Sequence, residues 1–369
     1  MATNTHASPR RKPTDGPYIG KFMTQYPFVS IIAPCRNEEA FIENAVSSIL
    51  ENDYPPESME VLVVDGMSND GTRDIVRAMA RRDNRIRLLD NPRKIVPSAM
   101  NIGISEARGR YIVRIDCHSH FAADYISKCV QISQRTGADN VGGYVQTLPA
   151  SNTSVAKAIA AATSSRFGVG NSAFRTGGPE QEVDTVPFGT FRKELFQKAG
   201  MYDERLVRNQ DIELNSRIRK TGGRIIISPE IKLSYFNRAT YSGLWQQSFN
   251  NGLWNPYTIW LVGSGLSCRH FTPMFFVCGL AASAIASCLW RPFGWVLLTY
   301  SVIYLLPATY FALRIAATTK TSTILVFMSF LTLHIAYGIG ALWGVLTIPF
   351  KWPRNKNRTI GKVLADRKM

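Results

Sequence analysis

Residues 111–118 read YIVRIDCH, a β-branched run that ends in an aspartate and a histidine two positions apart. The apolar run predicts a buried strand with Asp116 at its carboxyl end. Open α/β sheets bind ligands outside the carboxyl ends of their strands. Side chains at i and i+2 in this position suit a divalent ion that also contacts a diphosphate, although imidazole is a less usual partner than a second carboxylate. The stretch therefore indicates a nucleotide-diphosphate site.

Strand and helix patterns alternate on both sides of this stretch. The sequence predicts strands at 28–34, 61–65, 86–89 and 111–116, and helices at 38–51, 70–82 and 97–107. Strands separated by helical segments are typical of βαβ units and a mostly parallel sheet. After about residue 140 the alternation loosens, and a helix at 211–220 with strands at 225–227 and 231–235 ends the polar part. The predicted fold class is therefore α/β.

A region without acidic residues follows, from 271 to 350. The uncharged runs within it are 271–290, 292–313 and 321–350. Each run meets the roughly 20 residues needed to cross a bilayer. We therefore expect about three transmembrane helices after the α/β domain. The last run is expected to be the least regular, because it contains three glycines.

The chain is basic, with 43 Lys+Arg against 27 Asp+Glu and a formal net charge of +16. Much of the excess lies at the ends: residues 1–26 hold four basic residues and one acidic residue, and residues 351–369 hold seven and one. A nucleic-acid-binding protein would instead interleave basic and aromatic residues on its folded domain, so the charge indicates an anionic membrane surface. Three crossings would place the basic tail outside, against the positive-inside tendency, unless one run lies in the interface or re-enters.

These patterns divide the chain into five segments. They are a disordered basic N-terminus (1–26), an α/β domain (27–240), interfacial or acceptor-side helices (241–270), a membrane region (271–350) and a basic tail (351–369). The six cysteines have no C-x-x-C spacing and no apolar run precedes residue 28, so we expect a reducing compartment and no signal peptide. The expected location is the inner membrane, multi-pass, with the α/β domain in the cytoplasm.

Two earlier strand ends also carry polar residues. The first junction, APCRNEE at 33–39, is not G-x-G-x-x-G and therefore disfavours a dinucleotide site. Arg36 either faces a ligand there or belongs to an ordinary helix start. The second junction, DGMSNDGT at 65–72, places Asp65 at a strand tip, where it either binds a base or ribose or forms the turn.

With these junctions in order, the chain resembles the family 2 glycosyltransferases over about 28–235. The resemblance rests on VSIIAPCRNEE (29–39), VLVVDGMSNDGT (61–72), YIVRIDCHSHF (111–121) and FGTFRKELFQKAGMYDERLVRNQDIELNSRIRKTGG (188–223). The apolar end also resembles the succinoglycan-type glucosyltransferases of bacterial exopolysaccharide assembly, through CRHFTPMFFV (268–277) and HIAYGIGALWG (334–344).

The resemblance implies a GT-A-like nucleotide-sugar-binding domain and an inverting, metal-dependent transfer. It implies nucleotide-sugar contacts from Pro34, Arg36, Glu38, Asp65 and Asp116, a Mg²⁺ or Mn²⁺ ion at Asp116 and His118, and a catalytic base at Asp211. His118 stands where the family has a second aspartate, so it either binds the ion, directly or through water, or hydrogen-bonds a phosphate. Without the resemblance, Asp211 would be read as a first-turn charge favoured by the helix dipole.

Residues 245–254, WQQSFNNGLW, resemble the Q-x-x-R-W motif of processive polysaccharide synthases but lack its arginine. Gln247 and Trp254 would either flank an acceptor sugar or belong to an interfacial helix with tryptophan anchors. The expected function is transfer of a single sugar, glucose from UDP-glucose, to a lipid-linked saccharide at the cytoplasmic membrane face. A processive synthase, a polyprenyl-phosphate glycosyltransferase and a non-catalytic membrane scaffold that keeps a nucleotide pocket are the alternatives.

Overall fold

The computed structural model describes residues 26–263, 265–266 and 268–351. The predicted disordered N-terminus (1–26) and basic tail (351–369) lie outside these residues except for one residue each. The first part of the chain contains β1 (Val29–Cys35), α1 (Ile42–Leu50), β2 (Met59–Asp65), α2 (Thr72–Arg82), β3 (Ile86–Asp90), α3 (Val96–Glu106) and β4 (Tyr111–Arg114). The pairs β1–β2, β1–β4 and β2–β3 are parallel, as the alternation predicts.

The second part completes the sheet with mixed pairings. It contains β5 (Ser119–Phe121), α4 (Tyr125–Thr136), β6 (Asn140–Leu148), α5 (Ser154–Thr163), α6 (Arg166–Val169), α7 (Ala173–Thr176), β7 (Gln181–Glu182), β8 (Thr190–Arg192), α8 (Leu195–Ala199), α9 (Gln210–Lys220) and β9 (Ile225–Phe236). In the described residues the strand order is β3-β2-β1-β4-β8-β6-β9-β5, and β7 pairs with β9. The two strands predicted at 225–227 and 231–235 are one strand, whose register against β6 shifts between Gly143 and Tyr144.

Side chains of the parallel strands point alternately to the two faces of the sheet, and helices bury both faces. In β1, Val29 and Ile31 pack with α1, α2 and α4 on one face, while Ile32 packs with α3 on the other. Such strands read as continuous apolar runs because helices cover both faces. The strand order changes direction between β1 and β4, because β2 and β3 lie on one side of β1 and β4 lies on the other, so the carboxyl ends of β1 and β4 form a crevice at a topological switch point.

Four long helices follow the sheet: α10 (Tyr241–Val262), α11 (Thr272–Leu289), α12 (Phe293–Thr319) and α13 (Thr323–Lys351). Within the described residues, α11 with the turn before it, α12 and α13 are long and apolar enough to cross a membrane. These three helices correspond to the three apolar runs of the sequence. The segment 241–270, expected to contain interfacial or acceptor-side helices, is largely occupied by α10.

Residues 321–350 were predicted to be irregular, and this prediction is wrong: 323–351 form one helix. Its glycines allow α13 to pack closely on α10. A Cβ on Gly340 would lie 2.1 Å from the carbonyl oxygen of Phe249, and one on Gly252 of α10 would lie 2.0 Å from that of Tyr337. Small residues at such contacts are typical of helix pairs in membranes.

The helical part is attached to the sheet domain through α5. Ala158 and Ala162 of α5 are fully buried against Ala312 of α12 and Phe330 of α13. The packing of α5 therefore brings the apolar helices against the domain that carries the candidate site.

Candidate active site

The loops after β1 and β2 are joined by hydrogen bonds at the carboxyl edge of the sheet. The Asn37 amide donates to Ser68 Oγ at 2.8 Å, and the Glu38 amide donates to Thr72 Oγ1 at 2.8 Å. In return, the Asn69 amide donates to Asn37 Oδ1 at 3.0 Å. The two junctions picked out by the sequence therefore form one surface. Exposed Arg36 and half-buried Pro34 lie at its inner end.

Asp65 lies at the tip of β2 and is fully buried. Its carboxylate accepts hydrogen bonds from the Ser68 hydroxyl at 2.5 Å and from Arg73 Nη1 at 2.5 Å. Burial alone would raise the pKa of Asp65, but these hydrogen bonds lower it below its ordinary value. Asp65 therefore stays ionised and has partners on both oxygens, so a base or ribose would have to share them.

Asp116 and His118 lie in the turn between β4 and β5, beyond the end of the strand that was predicted to reach Asp116. Asp116 Oδ1 accepts the His118 amide at 3.2 Å. The imidazole Nε2 of His118 contacts Glu38 Oε2 at 3.2 Å. That hydrogen bond raises the pKa of His118 above its ordinary value, against the lowering effect of burial. The turn after β4 is thereby connected to the loop after β1.

Asp211 lies in the first turn of α9 and faces the same edge of the sheet. Its Oδ1 accepts a hydrogen bond from Nη1 of Arg114, and Arg114 is the last residue of β4. The Asp211 side chain is 31% exposed, whereas Arg114 is buried. The carboxylate therefore has one oxygen bound to the protein and remains accessible to a ligand.

Arg114 connects the two sides of the site. Burial alone would lower the pKa of Arg114, but Asp211, together with Tyr202 and Asp116, raises it above its ordinary value. Its Nε is buried with no hydrogen-bond partner among the described residues. One guanidinium thus interacts with the carboxylate of α9 and with the carboxylate after β4.

The loop before Asp211 is bound to the apolar helices by buried polar groups. Asn209, which has a left-handed backbone with φ 61°, donates to Asn255 Oδ1 of α10 at 3.0 Å and to Thr258 Oγ1 at 3.2 Å. Asn255 in turn donates to the Tyr337 hydroxyl of α13 at 2.6 Å. Asn255 is 2% exposed. This chain of hydrogen bonds, the Asn209–Asn255–Tyr337 clamp, connects the start of α9 to α10 and α13.

The two residues expected on the acceptor side lie on α10. Gln247 lies one helical turn before Asn251, whose Oδ1 accepts from Arg208 Nη1 at 3.0 Å. Trp254 packs edge-on against Tyr257, with 5.5 Å between ring centroids. Asn251, Asn255 and Thr258 of α10 accept hydrogen bonds from Arg208 and Asn209, in the loop that precedes Asp211.

Comparison with known proteins identifies the family. The family model Glycosyl transferase family 2 matches residues 30–200. Succinoglycan biosynthesis protein ExoA of Rhizobium meliloti (strain 1021) is 36% identical over 224 residues, which cover 60% of this chain and 67% of that protein. The chain belongs to the family 2 glycosyltransferases.

Two further similarities extend this result. The Methanococcus voltae dolichyl N-acetyl-alpha-D-glucosaminyl phosphate 3-beta-D-2,3-diacetamido-2,3-dideoxy-beta-D-glucuronosyltransferase is 26% identical and aligns over 61% of this chain and 72% of that protein. A mannosyltransferase from Pyrobaculum calidifontis, solved with GDP-Man and Mn²⁺, superposes with a TM-score of 0.55 at 19% identity, covering 90% of this chain and 89% of that chain. The predicted GT-A-like fold is thereby confirmed.

In this family 2 glycosyltransferase, a divalent ion at Asp116 and His118 would have one carboxylate and one imidazole as protein ligands. No group of three or more His, Cys, Asp or Glu side chains in the part of the chain that the structure describes could hold a metal ion. The two side chains therefore fit an ion only if a diphosphate and water complete its ligands, which is common for Mg²⁺ in nucleotide sites. His118 would also have to release Glu38 or bind through its other nitrogen.

Sequence reasoning missed Arg114 and Asn255 in this glycosyltransferase. Arg114 had a signal, because it is the one charged residue inside the apolar run that ends at Asp116. A charged side chain in a buried strand usually has a partner of opposite charge. Asn255 had only a weak signal, since its partners lie 46 and 82 residues away in sequence.

Proposed function

We propose that this family 2 enzyme is a metal-dependent, inverting hexosyltransferase. It transfers one glucose from UDP-glucose to a lipid-linked saccharide at the cytoplasmic face of the inner membrane, in the assembly of a cell-surface glycan. The observation that supports this most is the contact of Arg114 with Asp211. It holds a partly exposed carboxylate next to the turn that carries Asp116 and His118.

The proposed chemistry is a single displacement at the anomeric carbon. Asp211 takes the proton from an acceptor hydroxyl, and that oxygen attacks C1 as the bond from C1 to the diphosphate oxygen breaks. One displacement inverts the configuration and releases UDP. A positioned carboxylate base contributes about 10²–10⁴-fold to the rate. Arg114 occupies Oδ1 of Asp211, so Oδ2 receives the proton.

The donor is held by the opposite side of the site in this proposal. Arg36, Glu38 and Asp65 would contact the nucleotide, and Pro34 would shape the end of β1 beneath it. Asp116 and His118 would hold a divalent ion, which offsets the negative charge that develops on the departing diphosphate. The solved mannosyltransferase that contains GDP-Man and Mn²⁺ supports a nucleotide sugar and a metal ion here.

The names of two relatives support the acceptor class. One relative acts on a dolichyl saccharide phosphate by its name, and the other takes part in succinoglycan biosynthesis. We propose that 27–240 form the catalytic domain, that 241–270 with Gln247 and Trp254 line the acceptor side, and that 271–350 form the membrane region. An apolar anchor next to the site suits an acceptor that resides in the bilayer.

Nucleotide release by purified membranes tests this proposal. Membranes that contain the wild-type chain and a lipid-linked saccharide pool are offered UDP-glucose and other nucleotide sugars, with Mg²⁺ or Mn²⁺. We expect UDP release from UDP-glucose that depends on the ion and on the lipid acceptor. Asp211→Asn should lower kcat about 10²–10⁴-fold, because the amide cannot accept the proton.

The matched control is Asp74→Asn, which removes an exposed carboxylate from α2. This control should release UDP at the wild-type rate, and Asp211→Asn should still bind UDP. Full activity of Asp211→Asn would remove the proposed base, and no nucleotide release with any donor would remove the proposed function.

A further inference from the structure

The last helix, α13, is joined to the sheet domain near its start and in its middle. Near the start, the backbone carbonyl of Leu325 accepts a hydrogen bond at 2.8 Å from the hydroxyl of Tyr241, the first residue of α10. In the middle, Nε2 of His334 lies 3.2 Å from the carbonyl oxygen of Gly168 in α6. The first half of α13 therefore does not leave the sheet domain.

The end of α13 also lies next to the sheet domain. The hydroxyls of Tyr257 and Thr347 are 2.6 Å apart, and Nζ of Lys351 lies 5.1 Å from the centre of the Tyr257 ring. The next residue of α10, Thr258, accepts a hydrogen bond at 3.2 Å from Asn209, which precedes α9. Lys351 is thus beside the part of α10 that is bound to the sheet domain.

Between its two ends, α13 runs parallel to α10. A Cβ on Gly340 would lie 2.1 Å from the carbonyl oxygen of Phe249, and a Cβ on Gly344 would lie 2.6 Å from that of Leu253. These contacts advance in the same direction along both helices. Since α10 is bound to the loop before α9 through Asn255, α13 lies along the sheet domain over its whole length.

This path does not fit a helix that crosses a bilayer. A crossing helix carries one of its ends to the far side of a hydrocarbon layer about 30 Å thick. The 29 residues of α13 extend about 43 Å at about 1.5 Å per residue, so a crossing would separate one end from the sheet domain by that layer. Both ends of α13 instead contact α10 close to residues of the sheet domain.

The two other apolar helices form a hairpin that leaves the sheet domain and returns to it. The hairpin begins after Arg269, which forms an ion pair with Asp184 of the sheet domain at 2.5 Å. Around its turn, Leu289 is 84% exposed and Trp295 is 73% exposed. Toward the end of α12, Ala312 is buried against α5. The chain therefore re-emerges on the side from which α11 started.

The face of α13 that points away from the sheet domain is apolar. Its exposed large side chains recur at helical spacing and form one stripe: Ile324, Met328, Trp343, Leu346 and Phe350. The stripe continues the exposed apolar surface of α11 and α12, which are long and apolar enough to cross a membrane. Helices with such a stripe can lie in the plane of the membrane interface, where tryptophan is frequent.

We propose that α13 lies along the bilayer surface beneath the sheet domain, and that only the hairpin of α11 and α12 enters the bilayer. Lys351, the first residue of the basic tail, is then on the same side of the membrane as the sheet domain. For a cytoplasmic domain this arrangement agrees with the positive-inside tendency, which three crossings would oppose. It goes beyond the proposed function and does not depend on it. The Asn209–Asn255–Tyr337 clamp would then hold the start of α9 close to the membrane surface.

Labelling of single cysteines in sealed membrane vesicles tests the inference on the full-length chain. The background variant replaces the three cysteines that are not buried: Cys268→Ser, Cys278→Ser and Cys288→Ser. Ser322→Cys adds an exposed thiol just before α13, and Lys351→Cys adds one at its end. Asp74→Cys marks the sheet domain, because Asp74 is exposed on α2.

A membrane-impermeant maleimide is added to vesicles of both orientations. We expect all three thiols to be labelled in the vesicles that expose the sheet domain and to be protected in the opposite vesicles. Labelling after detergent is added shows that each thiol is reactive. Labelling of Ser322→Cys and Lys351→Cys in vesicles of opposite orientation would show that α13 crosses the bilayer and would overturn the inference.

A second measurement keeps the native cysteines and so does not depend on how the variants fold. Trypsin is added to sealed vesicles that expose the sheet domain of a chain with a C-terminal epitope tag. We expect the tag to be removed, because residues 351–369 hold seven Lys and Arg residues on the exposed side. A membrane-bound fragment that keeps the tag until detergent is added would place the tail on the far side and contradict the inference.

Contact of α13 with lipid is tested separately in the same cysteine background. A fluorophore on Leu346→Cys, in the apolar stripe, should be quenched when the chain is reconstituted with brominated lipids. The same fluorophore on Asp74→Cys, on the sheet domain, should not be quenched. Without quenching at Leu346→Cys, the membrane surface would not be the partner of α13. None of these measurements needs turnover, so their failure and the failure of nucleotide release are distinguishable.

Discussion

Two regions at the candidate site differ in whether their charged side chains form ion pairs. The proposed donor side, formed by the loops after β1 and β2, buries Asp65 and pairs it with Arg73. At the end of β9, Arg208 lies near Arg238, and neither forms an ion pair with an Asp or Glu side chain among the described residues. Removing one partner of a buried ion pair is strongly destabilising, because the other charge is left buried without compensation. An arginine without an ion-pair partner has no such partner to strand, so the two regions should respond differently when an arginine is replaced.

The largest effect is expected on the donor side. Arg73→Gln leaves the fully buried Asp65 carboxylate without its cation. We expect the free energy of unfolding to fall by about 3 kcal/mol, at the lower end of the range for breaking a buried ion pair, because Arg73 itself remains partly exposed. Urea unfolding of the chain in detergent measures this change.

Arg77→Gln on the same helix is the control for Arg73→Gln. Arg77 and Asp74 form an exposed pair, so this change should cost less than about 1 kcal/mol. The penalty of Arg73→Gln should shrink in acid. The pKa of Asp65 lies below its ordinary value, so its ionic contribution is present above about pH 4 and disappears as the pH falls through the folded-state pKa. An equal penalty for both variants would contradict the assignment of Asp65 and Arg73 as a structural pair.

A second prediction concerns Arg114, which interacts with both Asp211 and Asp116. Arg114→Gln should lower kcat about 10²-fold by displacing Asp211 from the acceptor hydroxyl, with little change in the KM for UDP-glucose. Arg114→Lys keeps the charge and should recover part of kcat. The nucleotide-release assay measures both parameters. A KM for UDP-glucose that rises with kcat unchanged would instead place Arg114 in donor binding.

The Asn209–Asn255–Tyr337 clamp supplies a third, smaller effect. Asn255→Ala removes hydrogen bonds to Asn209 and Tyr337 and should lower kcat about tenfold, because the start of α9 loses its support on α10 and α13. Ser248→Ala, on the same buried face of α10, removes a hydroxyl that has no hydrogen-bond partner among the described residues. That control should leave kcat unchanged. Equal kcat values for wild type and Asn255→Ala would show that the membrane helices do not position the base.

The smallest effect is expected at the end of β9. Arg208→Gln removes a half-buried charge that lies near Arg238 and forms no ion pair with a carboxylate among the described residues. We expect the free energy of unfolding to remain within about 0.5 kcal/mol of the wild type or to increase. The same urea titration as for Arg73→Gln measures it. A loss as large as that of Arg73→Gln would mean that Arg208 is a structural residue.

Sequence reasoning proposed the candidate site residues whose patterns are local in the chain. Asp65, Asp116 and Asp211 were placed by strand ends, a helix start and the family motifs around them. The proximity of Arg208 and Arg238 was not predicted, because the two residues lie on opposite sides of α9 and β9 in the sequence and come together only in the folded chain. The helix over 323–351 was misjudged for a related reason. Its glycines were read as breaks in the helix, whereas they serve close contact with α10.

The central claim is that Arg114 holds Asp211 beside the turn that carries Asp116, and that Asp211 is the catalytic base. The most direct measurement is kcat for nucleotide release by Asp211→Asn and by the exposed control Asp74→Asn, at saturating UDP-glucose and lipid acceptor. We predict a kcat about 10²–10⁴-fold below the wild type for Asp211→Asn and an unchanged kcat for Asp74→Asn. A wild-type kcat in Asp211→Asn would contradict the claim.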